Sequence, residues 1–333
     1  MTIESLNHEV DKKRGTSGWP SDLAFNATEG ADSVEVNVRD AGSAIDGFWK
    51  RIDPWGFAFF HKAKEITKKP LRLTFSLRSP DTPQAEWQYE ALKRRVSYLA
   101  EANCLQIILL KGNADDKLYS FKELTDRPDW ETIRRDFKRR RDDDTPGRLE
   151  KDFQTWLFGK GLHNPSDQDR RTNERLALFG PDFIRIGKVK SGKDQNGYKV
   201  EREFPTGVFK EKVTRGNRLL STEFVDLVTL NRNGELAVIE IKFDDPKLEV
   251  IPQVLNYALF FHSYRTKLTP LLDKKLACET AGRKLVTYLV SNTFHNKFKS
   301  VWPYYSEPNL EPDLTLRQVI MGHMPDTKHP FEV

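Results

Sequence analysis

The chain has 333 residues, 38% of them hydrophobic and 31% charged, which is the composition of a globular protein long enough for two domains. No apolar run reaches the length of a membrane span, and the opening MTIESLNHEV lacks the basic-then-apolar order of a signal peptide, so no membrane contact and a cytoplasmic location are expected. A net charge of +5 permits nucleic-acid binding without requiring it, while Cys104 and Cys278 stand far apart and offer neither a disulfide framework nor a cysteine-based metal cluster.

Residues 1–30 are polar and read as a flexible N-terminal arm. Residues 31–121 then alternate in pattern. Ser33–Val38 and Leu71–Leu77 read as strands, Gln84–Ala102 as a helix and Leu105–Leu110 as a buried strand. Strand, helix, strand implies a parallel βαβ unit and hence a small α/β domain. Between the first two strands, GFWKRIDPWGFAFFHK mixes aromatic residues with Lys50, Arg51 and Lys62. Such a mixture can stack bases, but it also fits the core face of a helix broken at Pro54-Trp55-Gly56.

Residues 122–145 form a charged connector in which Trp130–Arg141 is a basic helix followed by three aspartates. Thr145 and Pro146 suit the cap and first turn of a new helix, whose stripe is Leu149, Phe153, Trp156 and Leu157. Glu150 lies beside that stripe. Phe183–Val189 reads as a strand, and from Arg185 to Arg218 ten Lys/Arg stand against four Asp/Glu among several glycines. That excursion reads either as a clamp on phosphates or as a solvated insertion.

The most informative stretch is Thr222–Phe261. Phe224–Leu230 and Leu236–Phe243 are apolar strands, and Asn233-Gly234 between them is a hairpin signal. Closing the loop with Leu230 against Leu236 places Val228 opposite Val238 and Asp226 opposite Glu240, with Lys242 on the same face as Glu240. Like charges directly opposite each other destabilise a sheet, and a divalent cation such as Mg²⁺ or Mn²⁺ between them would remove that penalty. The structural alternative is a surface Glu–Lys pair on an ordinary hairpin. Glu223, three residues before Asp226, is a third carboxylate expected on the other side of the strand. Pro252 suits the first position of a helix carrying Gln253 and Tyr257 one turn apart. Leu271–Ala281 reads as a helix stopped by Gly282, Lys284–Val290 as a last buried strand, and the tail from Phe294 as packing on the core through Trp302, Tyr304 and Tyr305.

Asp226, a spacer of hairpin length and Glu240-Ile241-Lys242 resemble the D…(D/E)xK signature of the PD-(D/E)XK nuclease superfamily, with Val225 where that family often has proline. Gln253 and Tyr257 resemble the QxxxY motif of its RecB-like members. The resemblance covers roughly residues 146–292. It implies a restriction-endonuclease-like αβββαβ core within a domain over 146–333, preceded by the smaller α/β N-terminal domain. It further implies a nuclease holding Mg²⁺ or Mn²⁺ through Asp226, Glu240 and the Ile241 carbonyl. Lys242 would act on the attacking water, Gln253 and Tyr257 would orient the reacting groups, and Glu150 would be the carboxylate that the opening helix supplies near the metal.

The expected substrate is nucleic acid, DNA before RNA. Two further readings accompany this one: an inactive nuclease-fold module that binds nucleic acid or protein, and a nuclease gated by its N-terminal domain. That domain is also where a second copy or a protein partner would dock. Two-domain defence or CRISPR-associated nucleases, and Shedu-type defence nucleases, are similar in general plan. The scattered histidines support neither a Ser/His/Asp or Cys/His scheme nor a zinc site.

Overall fold

A computed structural model describes residues 1–15, 18–41, 48–125, 201–210, 213–220, 223–231, 233–243, 245–307 and 314–320. The expected basic helix Trp130–Arg141, the helix carrying Glu150 and the strand Phe183–Val189 lie outside the described residues.

The first thirty residues are not an arm. Helix α1 (Ile3–Lys12) is capped reciprocally by Thr2 and Ser5 and buries Ile3, Leu6 and Val10, and strand β1 (Leu23–Glu29) follows. Asn7 fastens the two by bonding both the carbonyl and the amide of Ala27. The stripe on α1 is only three residues wide in an otherwise polar decamer, so the helix takes its stability from tertiary packing rather than from propensity.

β1 pairs antiparallel with β2 (Val34–Asp40). β2 then pairs parallel with β3 (Leu71–Leu77), and β3 parallel with β4 (Gln106–Lys111), whose outer edge takes the two-residue strand β5 (Ala114–Asp115). Helix α2 (Ile52–Ile66) bridges the first parallel step and α3 (Pro83–Ala102), capped by Thr82, the second. The mixed α/β class expected here is present.

α2 runs unbroken where a break at Pro54-Trp55-Gly56 was expected. Pro54 sits in the first turn, where a missing N–H costs no helical bond. Gly56 lies so close to the Phe75 ring on β3 that a methyl group there would overlap it. Trp55, Phe57, Phe59 and Phe60 are all buried, so these aromatics build the core and are not available to stack on bases.

After α4 (Phe121–Thr125), the next described elements belong to a second sheet, in the order β12-β11-β10-β9-β6. β6 (Glu201–Pro205), β9 (Phe224–Leu230) and β10 (Leu236–Lys242) are antiparallel neighbours. β11 (Leu285–Ser291) joins β10 in parallel, and β12 (Leu314–Ile320) joins β11 in parallel. A small ribbon of β7 (Val208–Phe209) and β8 (Arg218–Leu220) lies within the basic stretch, so the described part of that stretch is strand and turn rather than a solvated excursion.

Helices α5 (Val250–Ser263) and α6 (Arg265–Leu276) connect β10 to β11. α6 starts earlier than expected and stops at Ala277, which takes the left-handed conformation itself, before Gly282 is reached. The tail forms α7 (Phe298–Ser306) and then β12, an edge strand whose alternation of buried and open positions was missed in the sequence.

One apolar cluster runs through both parts of the chain: α1, α2, α3 and the first sheet share it with Ile251, Val254, Leu255, Ala258 and Leu259 of α5 and with Trp302 and Tyr305 of α7. At its centre Arg95 of α3 grips Asp53 of α2 through Nε and Nη2 at 2.9 and 2.8 Å. Arg95 also donates to Asn256 on α5 and to the Trp49 carbonyl, and the Tyr305 hydroxyl donates to Asp53.

Removing one partner of a buried ion pair leaves an uncompensated charge, so Asp53→Ala is expected to lower unfolding free energy by about 3–5 kcal/mol, while Tyr305→Phe loses about 1 kcal/mol. Gly56→Ala should cost about 1–3 kcal/mol through overpacking against Phe75. Denaturant titration of the three variants checks all three values.

Candidate active site

The hairpin folds as its sequence requires. Gly234 supplies the positive φ of the turn, and the Asn231 side chain accepts from the amides of Asn233 and Glu235, fixing loop length and register. Leu230 faces Leu236 and Val228 faces Val238, as expected, and the paired run continues to Leu227 opposite Ile239. There it stops, one step before Asp226 and Glu240.

At that step the Asp226 carboxylate takes over from the ladder: its Oδ2 accepts the Ile241 amide at 2.7 Å. Asp226 is 8% exposed and Glu240 only 1%. The Glu240 charge is met by Lys242, with Nζ 2.7 Å from Oε1. The like-charge conflict anticipated from the sequence is thus eased within the protein, by a backbone donor for one carboxylate and an ammonium for the other.

The surface-pair reading does not describe this arrangement. β10 is buried from Leu236 to Ile241, with β9 and β11 along its two edges and α5 packed against it. Val228 and Val238 pack with Tyr257, Phe260 and Phe261 of α5, so the acidic end of the hairpin continues a covered face.

α5 begins at Val250, two residues before Pro252, which occupies the first turn. Gln253 and Tyr257 share a face, and Gln253 Nε2 donates to the Tyr257 hydroxyl at 2.7 Å. That hydroxyl donates in turn to the Phe224 carbonyl at 3.2 Å, tying the helix to the first residue of β9. Burial, with Glu240 next and Glu223 and Asp226 after it, holds the phenol well above its ordinary pKa, so Tyr257 stays protonated beside the carboxylates. Gln253 and Tyr257 therefore form one chain of bonds ending on the Phe224 carbonyl.

The structure brings Asp226, Glu240, Lys242, Gln253 and Tyr257 together at one end of the hairpin. Glu150 lies outside the described residues. Glu223 does not join the pair of carboxylates in coordinating one point; it forms an ion pair with Lys50 of the N-terminal half. No group of three or more His, Cys, Asp or Glu side chains that could hold a metal ion is present among the described residues.

The sequence did not point to the N-terminal contacts of this site. Arg51 binds both Asp22 and Glu249 at 2.8 and 2.9 Å, and Glu249 immediately precedes α5. Thr206 accepts the Glu223 amide, which holds the entry to β9. The only signal for these pairs was an unexplained run of charge, Lys50-Arg51, beside buried tryptophans.

Two substitutions separate the roles of Asp226. Asp226→Asn keeps an acceptor for the Ile241 amide while removing charge, and should be at least as stable as wild type in EDTA. Asp226→Ala strands that amide and should lose about 1–3 kcal/mol, read by thermal or denaturant unfolding. No family model and no curated protein matches this chain.

Proposed function

We propose that the protein is a metal-dependent nuclease that hydrolyses phosphodiester bonds in nucleic acid, DNA before RNA. The observation that carries this reading is the meeting of Asp226, Glu240 and Lys242 at a buried point where a β-ladder opens. Burying two carboxylates next to each other is costly for structure alone. The order of strands also supports it: β6, β9 and β10 are antiparallel neighbours, and after helices α5 and α6 the strand β11 joins β10 in parallel, in line with the αβββαβ core that the resemblance implies.

The donor set fits a hard cation. Mg²⁺ is commonly held by one or two carboxylates together with waters and substrate phosphate oxygens, and Asp226 and Glu240 supply two carboxylates, with the Ile241 carbonyl as a further oxygen. A bound Mg²⁺ or Mn²⁺ supplies Lewis-acid polarisation of the phosphoryl group and a lowered water pKa.

The remaining chemistry belongs to the chain. Lys242 places an ammonium beside the metal-binding carboxylates, where it orients the attacking water and stabilises negative charge that develops on the phosphate. Tyr257, protonated and with its O–H given to the Phe224 carbonyl, ties α5 to the start of β9 without adding a charge beside the carboxylates. Gln253 fixes the orientation of that phenol. The covering helix and strands keep bulk water away, which strengthens each of these interactions.

A gated form of the same enzyme has a specific observation in its favour. Lys50 of the N-terminal half grips Glu223, one residue before the Phe224 carbonyl that holds Tyr257. A change in the N-terminal half therefore has a three-residue route to the site. An inactive binding module has less support, because the two carboxylates, the lysine and the Gln–Tyr pair are all retained.

The test is cleavage of plasmid, linear duplex, single-stranded DNA and RNA with Mg²⁺, Mn²⁺ or EDTA. Wild type should cut at least one substrate with metal and none in EDTA. Lys242→Ala should cut at least about a hundredfold more slowly, at ~1.4 kcal/mol of barrier per tenfold, compared at a temperature where the variant, which melts lower for want of the Glu240 partner, is still folded. A Lys242→Ala variant as fast as wild type would remove the proposed role.

A further inference from the structure

The parallel register of the second sheet sets Lys242 at the end of β10 directly beside Ser291 at the end of β11. The chain leaving Ser291 turns back through the Ser291 hydroxyl, which donates to the Thr293 carbonyl, and through His295, whose Nδ1 accepts the Lys297 amide. This turn carries Lys297 onto the N-terminal half. Its ammonium lies 4.9 Å from the centre of the Trp19 ring and 5.6 Å from that of Trp55.

Both tryptophans are buried, and Trp55 is fixed from two further sides, edge-on to His295 at 5.1 Å and through its indole N–H to Glu249. Two indole faces therefore hold one ammonium in place at the border between the halves. Among the described residues Lys297 forms no ion pair with a carboxylate. Lys62 and Lys13 lie near it, with Glu9 as the shared carboxylate of those two. Lys13 and Lys62 thus share Glu9, and Lys297 adds a third ammonium nearby.

We infer that Lys297, positioned by Trp19 and Trp55, binds a backbone phosphate of the nucleic acid whose reacting phosphate lies at Lys242. This rests on the nuclease reading for its ligand, and it assigns the N-terminal half a part in substrate binding. Lys297 follows Ser291 by six positions, a backbone span of at most about 20 Å, so one duplex is long enough to touch both lysines. The tryptophans carry no base readout here, because their rings are already covered. The contact is therefore of the kind that fixes register without reading sequence. Burial first, and then Lys62 and Lys13, lower the Lys297 pKa, with Glu9 acting the other way.

The experiment is fluorescence anisotropy of a labelled 30-base-pair duplex with the full chain in EDTA, from 50 to 200 mM salt, for wild type, Lys297→Gln and Lys297→Arg. The expected result is weaker binding by Lys297→Gln at every sequence tested, with the salt slope smaller by about 1, and near-complete retention by Lys297→Arg. Lys297→Gln should melt somewhat lower for loss of its contacts with the two indoles, and the salt slope, which a merely structural lysine would not move, reads the phosphate contact. An unchanged slope in Lys297→Gln while wild type binds and cuts overturns this inference and leaves the nuclease standing. Lys297-dependent binding by a protein that cuts nothing with either metal overturns the nuclease and keeps the phosphate site. Lys297-dependent capture of a poly-aspartate peptide, with no duplex binding, assigns the patch to an acidic protein and also overturns it.

Discussion

The buried pair of Arg95 and Asp53, both in the N-terminal half, is the contact onto which the later part of the chain docks, through Asn256 and Tyr305. A guanidinium and a carboxylate removed from water are tolerable only when both are fully hydrogen-bonded, and here every partner comes from a different element. Asp53 lies on α2, Arg95 on α3, Asn256 on α5 and Tyr305 on α7, with the Trp49 carbonyl completing the set. Such a hub has one geometry, because rotating any one helix leaves a charge without its partners. It fixes the angle at which α5 crosses the N-terminal helices, and α5 carries the Gln253–Tyr257 pair into the site.

α5 itself has no solvent face to speak of. Its Ile251, Val254, Leu255, Ala258 and Leu259 belong to the cluster shared with the N-terminal half, while Tyr257, Phe260 and Phe261 pack on the hairpin. A helix that is apolar on all sides is a buried helix, and this one is the layer common to both sheets. The consequence for function is direct: any movement of the N-terminal half is felt by the helix that orients Tyr257. The Lys50–Glu223 and Arg51–Glu249 pairs reinforce that link at the two points where β9 and α5 begin.

The site shows how electrostatic strain is distributed rather than removed. Asp226 gives up its place opposite Glu240 in the ladder to accept the Ile241 amide, and Glu240 leans on Lys242. Each carboxylate is met by one strong donor, the second oxygen of Glu240 stays buried without a hydrogen bond among the described residues, and both carboxylates remain at the same end of one hairpin. Tyr257 stands beside them as a neutral group, because burial and their combined field keep its proton in place, and that proton goes to the Phe224 carbonyl.

What the sequence by itself determined was local. Apolar strands around Asn-Gly, the register that follows from Leu230 against Leu236, the helix with Gln253 and Tyr257 one turn apart, and the β3–α3–β4 unit all follow from periodicities of two or 3.6 residues and from turn chemistry. Where the local signal was thin, tertiary packing prevailed. α1 and β12 bury only a few side chains each and gain their order from what they pack on, and α2 runs through Pro54 because that residue falls in a first turn. Only the tertiary structure decided that Asp226 bonds the Ile241 amide, that Lys50 reaches Glu223, and that Lys297 settles on two tryptophans more than two hundred residues earlier in the chain. Those contacts join residues far apart in sequence, and no periodicity along a single segment records which charges a shared core will bring together.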